Sequence, residues 1–481
     1  MSIFISNFKV DPFGSKHTMK MKVEVIARET IKPFCPTPTH LRTFKLSLLD
    51  QRIPHVYKSM VFYYPINSGG DSSSSASDQE AMITQKSQHL KQSLSQILTC
   101  FYPFAGRIKD HLSIDCNEEG VDYFESRVDC PISDVLEHPN HETVMSFAPT
   151  TEPTELGSKA PCLLLVQANF FKCGGLALAV SNSHKVADAA TFSAFMKGWS
   201  CTALGYPNTV VPDFSAASRF PPLDDSHSQS PQVMSAEFNT RHNVVCRRYV
   251  FDALNISDLK AKAASSSAQH PSRVEVVTAL IWKCAVKASR SRLTFQHLKQ
   301  TYVLIGVANL RSRLVPPLPE YCFGNIFGVL RVVVVADDTE TELDFPGWVS
   351  RVRKGFAESC DVAVKKLQGD DDECVSETKA SSAIEVGNQQ PQQKEVKAQD
   401  RRSLLSHSSL CRFPFYDADF GWGKPVWVSV GYLVPQNAML LMDTREGDGV
   451  EAWVSLSKEE MALFERDPEL LEFVSLKPSA F

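Results

Sequence analysis

The most regular pattern of apolar and polar positions lies in residues 161–204. Two apolar runs, Cys162 to Phe171 and Leu176 to Ser183, are joined by the turn-forming cluster Lys172 to Gly175, so we predict two paired strands. After them the period changes, and apolar residues at spacings of three and four predict an amphipathic helix. These residues are Phe192, Phe195, Met196 and Trp199.

His184 and Asp188 stand at the corner between the predicted strand and helix, in the run His184-Lys-Val-Ala-Asp188. Corners at strand ends are places where α/β proteins expose catalytic groups. An imidazole has an unperturbed pKa of about 6.5, so a neutral His184 can accept a proton near physiological pH and act as a general base. Two other interpretations stay open from these five residues alone. The histidine could be a hydrogen-bonded packing residue, and the aspartate could be only a cap or a partner of the helix dipole.

The chain divides into two halves around a segment without apolar periodicity. Gly205 to Gln232 is rich in Pro, Ser and Asp, and we interpret it as an interdomain crossover. Because a single core stops growing at roughly 250 to 300 residues, a chain of 481 residues accommodates two domains. We predict domains at residues 21–204 and 236–481 with a linker at 205–235. The second half is expected to open with a strand at Val244 to Phe251 and helices at Asn255 to Ala264 and Val274 to Ala288.

Two segments of low complexity lack the apolar content of a folded core. Ser68 to Asp78 is a serine run with Gly and Asp, and it predicts a flexible surface loop. Residues 368–400 are charged and rich in Gln with almost no aromatic residues, so we predict a disordered insertion there. A tolerated solvated loop is favoured over a regulatory segment, because nothing in it matches a binding motif. Residues 1–20 are expected to be a disordered extension or the product of an upstream start.

Composition argues against several classes of partner. The net charge is -5 with acidic and basic residues mixed along the chain, so there is no basic patch for nucleic acid or an anionic membrane. No run reaches the roughly 18 consecutive apolar residues of a membrane span, and the first residues lack a secretory pattern. The 13 cysteines include no C-x-x-C pair, which favours reduced thiols. We expect a soluble, cytoplasmic protein that binds no metal.

A second motif, far along the chain, changes the interpretation of the corner. Asp419-Phe-Gly-Trp-Gly423 precedes the strand-like Val426 to Val430. Together with His184-x-x-x-Asp188 it resembles the paired HxxxD and DFGWG motifs of the BAHD acyltransferases, which use acyl-CoA donors. The resemblance runs over nearly the whole chain from Lys22 onward and is closest to the vinorine synthase-like subgroup. Other similar segments are Val23 to Pro33, Leu46 to Asp50, Phe101 to Arg107, Asn309 to Arg313, Pro316 to Pro319 and Phe323 to Asn325.

The resemblance implies a fold and an activity. The expected fold is α/β, with two chloramphenicol-acetyltransferase-like domains, mixed β-sheets and a solvent tunnel between the domains. The expected activity is acyl transfer from acyl-CoA, above all acetyl-CoA, to a hydroxyl of a plant specialised metabolite, an alkaloid or terpenoid alcohol. Acyl-CoA would be a co-substrate, with no cofactor bound permanently, and the enzyme would be a monomer. The alternatives are another acyl-CoA, an amine acceptor, or a non-catalytic binding paralogue.

The resemblance also assigns roles to residues. It makes His184 the general base and turns Asp188 away from the substrate to pair with an arginine, expected to be Arg311, with Arg313 as second choice. Ala189 follows Asp188, where the family more often has Gly. The expected structural residues near the CoA channel are Asp419, Gly421, Trp422 and Gly423. The expected CoA contacts are Ser272, Arg273 and Lys283.

Two other chemistries compete with direct base catalysis by His184. Ser183 is its neighbour, but neighbours on a strand point to opposite faces, and no G-x-S-x-G elbow occurs, so a covalent acyl-enzyme is disfavoured. A His and a carboxylate four residues apart can share a metal ion, but no third ligand is nearby and His184 precedes the helix. A positioned base typically increases the reaction rate by about 10² to 10⁴-fold. The thioester already has a good leaving group. Direct attack in a ternary complex is the simplest mechanism.

Overall fold

The structure is a computed structural model that describes residues 21–66, 76–149, 160–223, 243–264, 269–292, 300–336, 343–369, 401–476 and 479–480. Besides most of the predicted loop at Ser68 to Asp78, three predicted segments fall partly or wholly outside this part of the chain. They are the extension 1–20, residues 224–235 of the linker and residues 370–400 of the insertion.

The chain alternates strands and helices throughout its described length. The strands are β1 (Val23–Ile31), β2 (Thr43–Lys45), β3 (Tyr57–Tyr64), β4 (Arg107–Ile108), β5 (Ser113–Asp115), β6 (Val121–Val128), β7 (Leu164–Phe171), β8 (Leu176–Ser183), β9 (Val244–Phe251), β10 (Gln300–Asn309), β11 (Phe327–Ala336), β12 (Arg401–Ser409), β13 (Trp427–Val430), β14 (Ala438–Asp443), β15 (Val450–Ser457) and β16 (Ser475–Leu476). The helices are α1 (Leu48–Gln51), α2 (Ala76–Cys100), α3 (Ile132–Glu137), α4 (His141–Met145), α5 (Ala189–Ala203), α6 (Ala216–Arg219), α7 (Ala253–Ala263), α8 (Arg273–Arg290), α9 (Phe345–Gln368), α10 (Lys458–Phe464) and α11 (Pro468–Leu471).

The first of two large sheets has six strands in the order β1-β6-β7-β8-β3-β13. β7 and β8 lie in its middle, and every residue of both strands is buried. Their continuous apolar runs follow from this position, because a strand covered on both faces has no polar side to present. β6 and β7 are parallel, and the other neighbours are antiparallel. Helices α2 and α5 pack against each other in the same core.

The second large sheet has seven strands in the order β11-β10-β12-β14-β15-β9-β16. The pairs β10/β12 and β12/β14 are parallel, so this sheet is also mixed. Helix α8 packs against α9, where the rings of Trp282 and Trp348 meet edge to face with centroids 5.0 Å apart. Each large sheet is lined by a separate large cluster of buried apolar side chains, which agrees with two cores in a chain of this length. The first cluster also includes Leu440 of β14 and Trp453 of β15 from the second sheet.

One strand crosses between the two halves of the sequence. β13 comes from the second half, yet it pairs with β3 at the edge of the first sheet. The Trp427 indole donates a hydrogen bond to Glu451 of β15 at 3.1 Å, and Arg248 of β9 pairs with the same carboxylate at 2.6 Å. Dividing the chain into two domains at the linker does not predict that β13 joins the first sheet. Strand periodicity does not determine which sheet a strand joins. β13 ties the two sheets together.

Most of the locally predicted elements are present. The two strands around the Lys172 to Gly175 turn are β7 and β8, the periodic helix is α5, and the strand after the linker is β9. The predicted loop at Ser68 to Asp78 is wrong at its end, because its last three residues open α2. Ala favours a helix there, and Asp78 interacts well with the dipole of the first turn. Residues 67–75 lie outside the described ranges.

The start of the predicted insertion is also wrong. Gln368 is the last residue of α9, and Gly369 closes that helix in the left-handed conformation at φ 77°. A glycine at this position is a common helix terminator, because it has no Cβ to clash in that conformation.

The described part of the predicted linker, residues 205–223, is packed against the rest of the protein. Its Phe220 is buried, and the Phe220 carbonyl accepts a hydrogen bond from the Leu48 amide at 3.0 Å. The Asp213 amide donates to Tyr321, and the Asp213 carbonyl accepts from the Phe323 amide at 2.7 Å. The linker therefore holds both α1 and the loop that contains residues 321–325, which meet at the site.

Candidate active site

The corner between β8 and α5 positions His184 and Asp188. The His184 amide donates to the Val56 carbonyl at 2.7 Å, which continues the pairing of β8 with β3 by one residue. The Asp188 carboxylate then caps α5 by accepting a hydrogen bond from the Thr191 amide at 2.9 Å. The His184 side chain is only partly buried. The backbone on both sides of the ring is thus fixed, while the ring remains accessible.

Asp188 and Arg311 form a buried ion pair behind this corner. The guanidinium donates two hydrogen bonds to the carboxylate, at 2.8 and 3.0 Å. The Arg311 side chain is 3% exposed and the Asp188 side chain 8% exposed. Burial raises the pKa of Asp188, but the charge and hydrogen bonds of Arg311 outweigh it, so this pKa lies below its ordinary value. Arg313, the second choice, instead donates to the Asn309 carbonyl. Asp188 is therefore both a helix cap and an ion-pair partner.

Asn325 fixes the tautomer of His184. The Asn325 side-chain NH₂ donates to the Asp50 carboxylate at 2.9 Å and to the His184 carbonyl at 2.9 Å. Since both of its hydrogens point to acceptors, the amide oxygen faces the imidazole, 3.0 Å from Nδ1. The Nδ1 atom must then carry the ring hydrogen. The lone pair on Nε2 is left free to accept a proton.

Asp50 anchors Asn325 from the other side. The Asp50 side chain is 1% exposed, and its carboxylate accepts from the amide and hydroxyl of Ser47 at 3.0 and 2.6 Å and from the Asn325 amide at 2.7 Å. Burial raises the pKa of Asp50, although these hydrogen bonds oppose the rise. Gly324 is needed beside it, because its φ is 127° and a Cβ would lie 3.2 Å from an Asp50 oxygen. Asp50 therefore acts as the acceptor that orients Asn325.

The surroundings of His184 favour its neutral form. Burial lowers the pKa of His184 below 6.5, and the positive charge of Lys58 on β3 lowers it further. The Asp188 charge and the Asn325 hydrogen bond act in the opposite direction but are weaker. A neutral ring at physiological pH is the form that can act as a base.

Ser183 is turned away from His184, as strand alternation predicts. Its side chain is fully buried, and its hydroxyl lies 2.7 Å from Nδ1 of His55. Burial, together with the charge of Lys185, lowers the pKa of His55. A buried hydroxyl in this position cannot reach a thioester, so the geometry disfavours an acyl-serine intermediate.

The DFGWG motif forms a tight turn before β13. The Asp419 carboxylate accepts from the amides of Gly421 and Gly423 at 2.8 and 3.0 Å. Both glycines have left-handed φ values, 103° and 102°, which other residues resist. The Trp422 ring packs edge-on against Tyr64 of β3, with centroids 6.2 Å apart. The motif is held against the first sheet, and its place beside a CoA channel stays a prediction.

The three predicted CoA contacts lie on or beside α8. Ser272 caps that helix and accepts from the Glu275 amide at 3.2 Å. Arg273 pairs with Asp443 at 2.7 Å, and the ammonium group of Lys283 pairs with a carboxylate of α11 at 2.8 Å. Each of these two cations already has a carboxylate partner in this structure. Contact with CoA stays a prediction for all three residues.

Three residues of the site were missed from the sequence. Asn325 and Asp50 lie in segments that resemble the family, but their roles depend on contacts between residues 141 and 275 positions apart. Lys58 does leave a local signal. It is a cation in β3, a strand in which the six residues from Ser59 to Tyr64 are all buried.

The described residues offer no metal centre and no membrane span. Within these ranges, no group of three or more His, Cys, Asp or Glu side chains is placed to hold a metal ion. Searched over the same ranges, the helices include none that is both long and apolar enough to cross a bilayer. The cysteines in this part of the chain are free.

Comparison with known proteins gives a consistent result. The model of the Transferase family matches residues 21–471. The chain is 36% identical over 470 residues to vinorine synthase of Rauvolfia serpentina, which covers 96% of this chain and 100% of that protein. It is 36% identical over 475 residues to epi-neemfruitin B 7-O-acetyltransferase of Melia azedarach, with coverages of 95% and 100%.

The solved structures agree with the sequence comparison. The crystal structure of vinorine synthase aligns with a TM-score of 0.76 at 35% identity, over 96% of this chain and 100% of that chain. The expected α/β fold of two chloramphenicol-acetyltransferase-like domains with mixed sheets is confirmed.

Proposed function

We propose, from the premise that this chain belongs to the BAHD family of acyl-CoA-dependent acyltransferases, that it transfers acetyl from acetyl-CoA to a hydroxyl of a plant alkaloid or terpenoid alcohol. Family membership makes the chain an acyltransferase that uses a CoA thioester. The acetyl group and the alcohol acceptor are the finer part of the proposal. A relative named as a 7-O-acetyltransferase, similar over nearly its whole length, supports that part.

The free Nε2 of His184 is the observation that carries this proposal. The Asn325 amide oxygen, 3.0 Å from Nδ1, accepts the ring hydrogen, and burial with the Lys58 charge favours the neutral ring. An alcohol is a poor nucleophile at neutral pH, so a base of this kind is what acyl transfer from a thioester requires. Asp188 and Arg311 serve as positioning residues, because they hold the corner and bind no reacting atom in this scheme.

The reaction can proceed by direct attack in a ternary complex. As the acceptor oxygen attacks the thioester carbonyl, Nε2 of His184 takes the hydroxyl proton and the carbonyl oxygen becomes an oxyanion. Collapse of this intermediate breaks the C–S bond, and the imidazolium returns its proton to the departing CoA thiolate. The products are the ester and free CoA, and the base is regenerated. No covalent acyl-enzyme is needed.

A release assay tests the proposal. The purified protein is incubated with acetyl-CoA and hydroxylated alkaloids and triterpenoids, free CoA is titrated with a thiol reagent, and products are identified by mass spectrometry. An acetylated alcohol with one CoA released per ester supports the proposal. Amine-containing acceptors and other acyl-CoA donors are run in parallel, and turnover only with those would replace the acetyl or alcohol assignment. A folded protein inactive with every donor and acceptor would favour a non-catalytic binding paralogue.

The site is complete within one chain. His184, Asn325, Asp50, Asp188 and Arg311 all belong to the same polypeptide, and their contacts close without a second copy. This arrangement supports the proposal that the enzyme acts as a monomer.

A further inference from the structure

Lys58 is a cation without an anionic partner beside the proposed base. Its side chain is half-buried, and no hydrogen bond or ion pair joins its ammonium group to another residue of the described ranges. The ammonium nitrogen lies over the ring of Tyr432, 4.2 Å from the centroid. Burial lowers the pKa of Lys58 to about 8, so the group is still mostly protonated at pH 7.

The strand register places Lys58 on the same face of the sheet as His184. Lys58 lies opposite Asn182, and His184 follows Asn182 by two residues. Cross-strand partners share a face, and so do residues two apart on a strand. Diagonal neighbours in such a sheet are about 7–8 Å apart, which a lysine side chain can span. The effect of the Lys58 charge on the pKa of His184 is consistent with this closeness.

Tyr432 reaches the same face from β13. The Gly431 amide donates to the Ser59 carbonyl at 2.8 Å, which continues the β13–β3 pairing and sets the next residue opposite Lys58. A ring face attracts a cation but does not neutralise its charge. The partly buried ammonium group has no counter-charge among the described side chains, so it is available to pair with the anion of a ligand.

We propose that Lys58 forms an anion subsite of the active centre, which binds a carboxylate on the reactant that lies next to His184. This inference rests on the proposed acyltransfer. The carboxylate could belong to a dicarboxylic acyl group on CoA or to the acceptor alcohol. The phosphates of CoA are a less suitable partner, because the pantetheine arm separates them from the thioester that reacts at His184.

Paired ligands that differ only in the carboxylate test the subsite. The donor arm measures Kd for malonyl-CoA and acetyl-CoA by calorimetry. The acceptor arm measures Kd for a triterpenoid hydroxy acid and its methyl ester in the presence of CoA. Each is measured with the wild type, Lys58→Met and Lys58→Arg. Lys86→Met is the matched control, because Lys86 is also half-buried and lies over an aromatic ring, that of Trp422, at 5.5 Å.

The subsite predicts a preference for the charged member of one pair that depends on Lys58. We expect Lys58→Met to reduce that preference roughly ten- to hundredfold, the range of a hydrogen bond to a charged group, while Lys58→Arg and Lys86→Met keep it. A loss confined to the malonyl pair assigns the subsite to the donor, and a loss confined to the acid–ester pair assigns it to the acceptor. The proposal would be overturned if Lys58→Met changed the Kd ratio of charged to neutral ligand by less than about twofold in both pairs. An equal loss of affinity for charged and neutral ligands would also overturn it.

The wild-type protein provides a test that needs no variant. His184 and Tyr432 face Lys58 among the described side chains. The pKa of His184 is lowered by burial and that of Tyr432 is raised by burial, so neither changes charge between pH 7 and 9. We expect the carboxylate preference to fall as the pH rises through about 8, where Lys58 loses its charge. A preference constant across this window would contradict the subsite. Binding does not require turnover, so an inactive enzyme would refute the proposed function and leave this test intact.

Discussion

Replacing Asp188 by Ala removes a hydrogen bond from the Ile326 amide, at 3.0 Å, and two larger contributions to stability. The first is the cap on α5, whose loss costs about 1 kcal/mol. The second is the buried ion pair, and removing one member leaves the charge of Arg311 uncompensated, at a cost of about 3–5 kcal/mol. We therefore expect Asp188→Ala to lower the free energy of unfolding by about 4–6 kcal/mol. Asp188→Asn keeps an acceptor for the cap and should lower the free energy of unfolding by about 3–5 kcal/mol.

Urea unfolding followed by tryptophan fluorescence at pH 7 measures these changes. The double variant Asp188→Asn/Arg311→Met removes both charges at once, so its cost should fall short of the sum of the single costs by about 1–3 kcal/mol. Arg313→Met is the control, because that exposed side chain donates one hydrogen bond and should change stability by less than about 0.5 kcal/mol. A loss of only about 1 kcal/mol for Asp188→Ala, or strictly additive single costs, would refute the ion-pair reasoning.

Three further predictions concern the base, its orientation and the connection between the sheets. Because the pKa of His184 is lowered in the folded protein, kcat/KM should fall at acid pH with a midpoint below 6.5, and a midpoint above 6.5 would contradict the assignment. Asn325→Ala should lower kcat by about 10²-fold with little change in KM in steady-state assays, since the ring loses its fixed tautomer; an unchanged kcat would remove Asn325 from the mechanism. Glu451→Gln removes the buried carboxylate charge that pairs with Arg248 and should lower the free energy of unfolding by about 3–5 kcal/mol in urea titrations, whereas a loss under about 1 kcal/mol would show that the pair is dispensable.

Local sequence patterns predicted the elements around the site well. The apolar runs of β7 and β8 and the periodicity of α5 depend on residues within a few positions of each other. The sequence therefore predicted all three elements. The pairing of Asp188 with Arg311 spans 123 residues and came from the family resemblance. No periodicity could have supplied it.

The remaining parts of the site depend on tertiary contacts. The orientation of Asn325 requires Asp50, 275 residues earlier, and the position of both requires the packed linker around Asp213 and Phe220. The transfer of β13 to the first sheet is another long-range effect, because a strand of four residues, three of them apolar, fits the edge of either sheet. Sequence reasoning therefore located the proposed base, His184, on the chain but not the groups that set its tautomer.

Turnover by His184→Ala tests the central claim most directly. The variant is compared with wild type at saturating acetyl-CoA and an acceptor identified by the release assay, after circular dichroism and thermal unfolding have shown that it is folded. If Nε2 of His184 is the base, kcat should fall by about 10² to 10⁴-fold. Retention of more than about a tenth of wild-type kcat by a folded variant would contradict the account, because acyl transfer would then proceed without the imidazole.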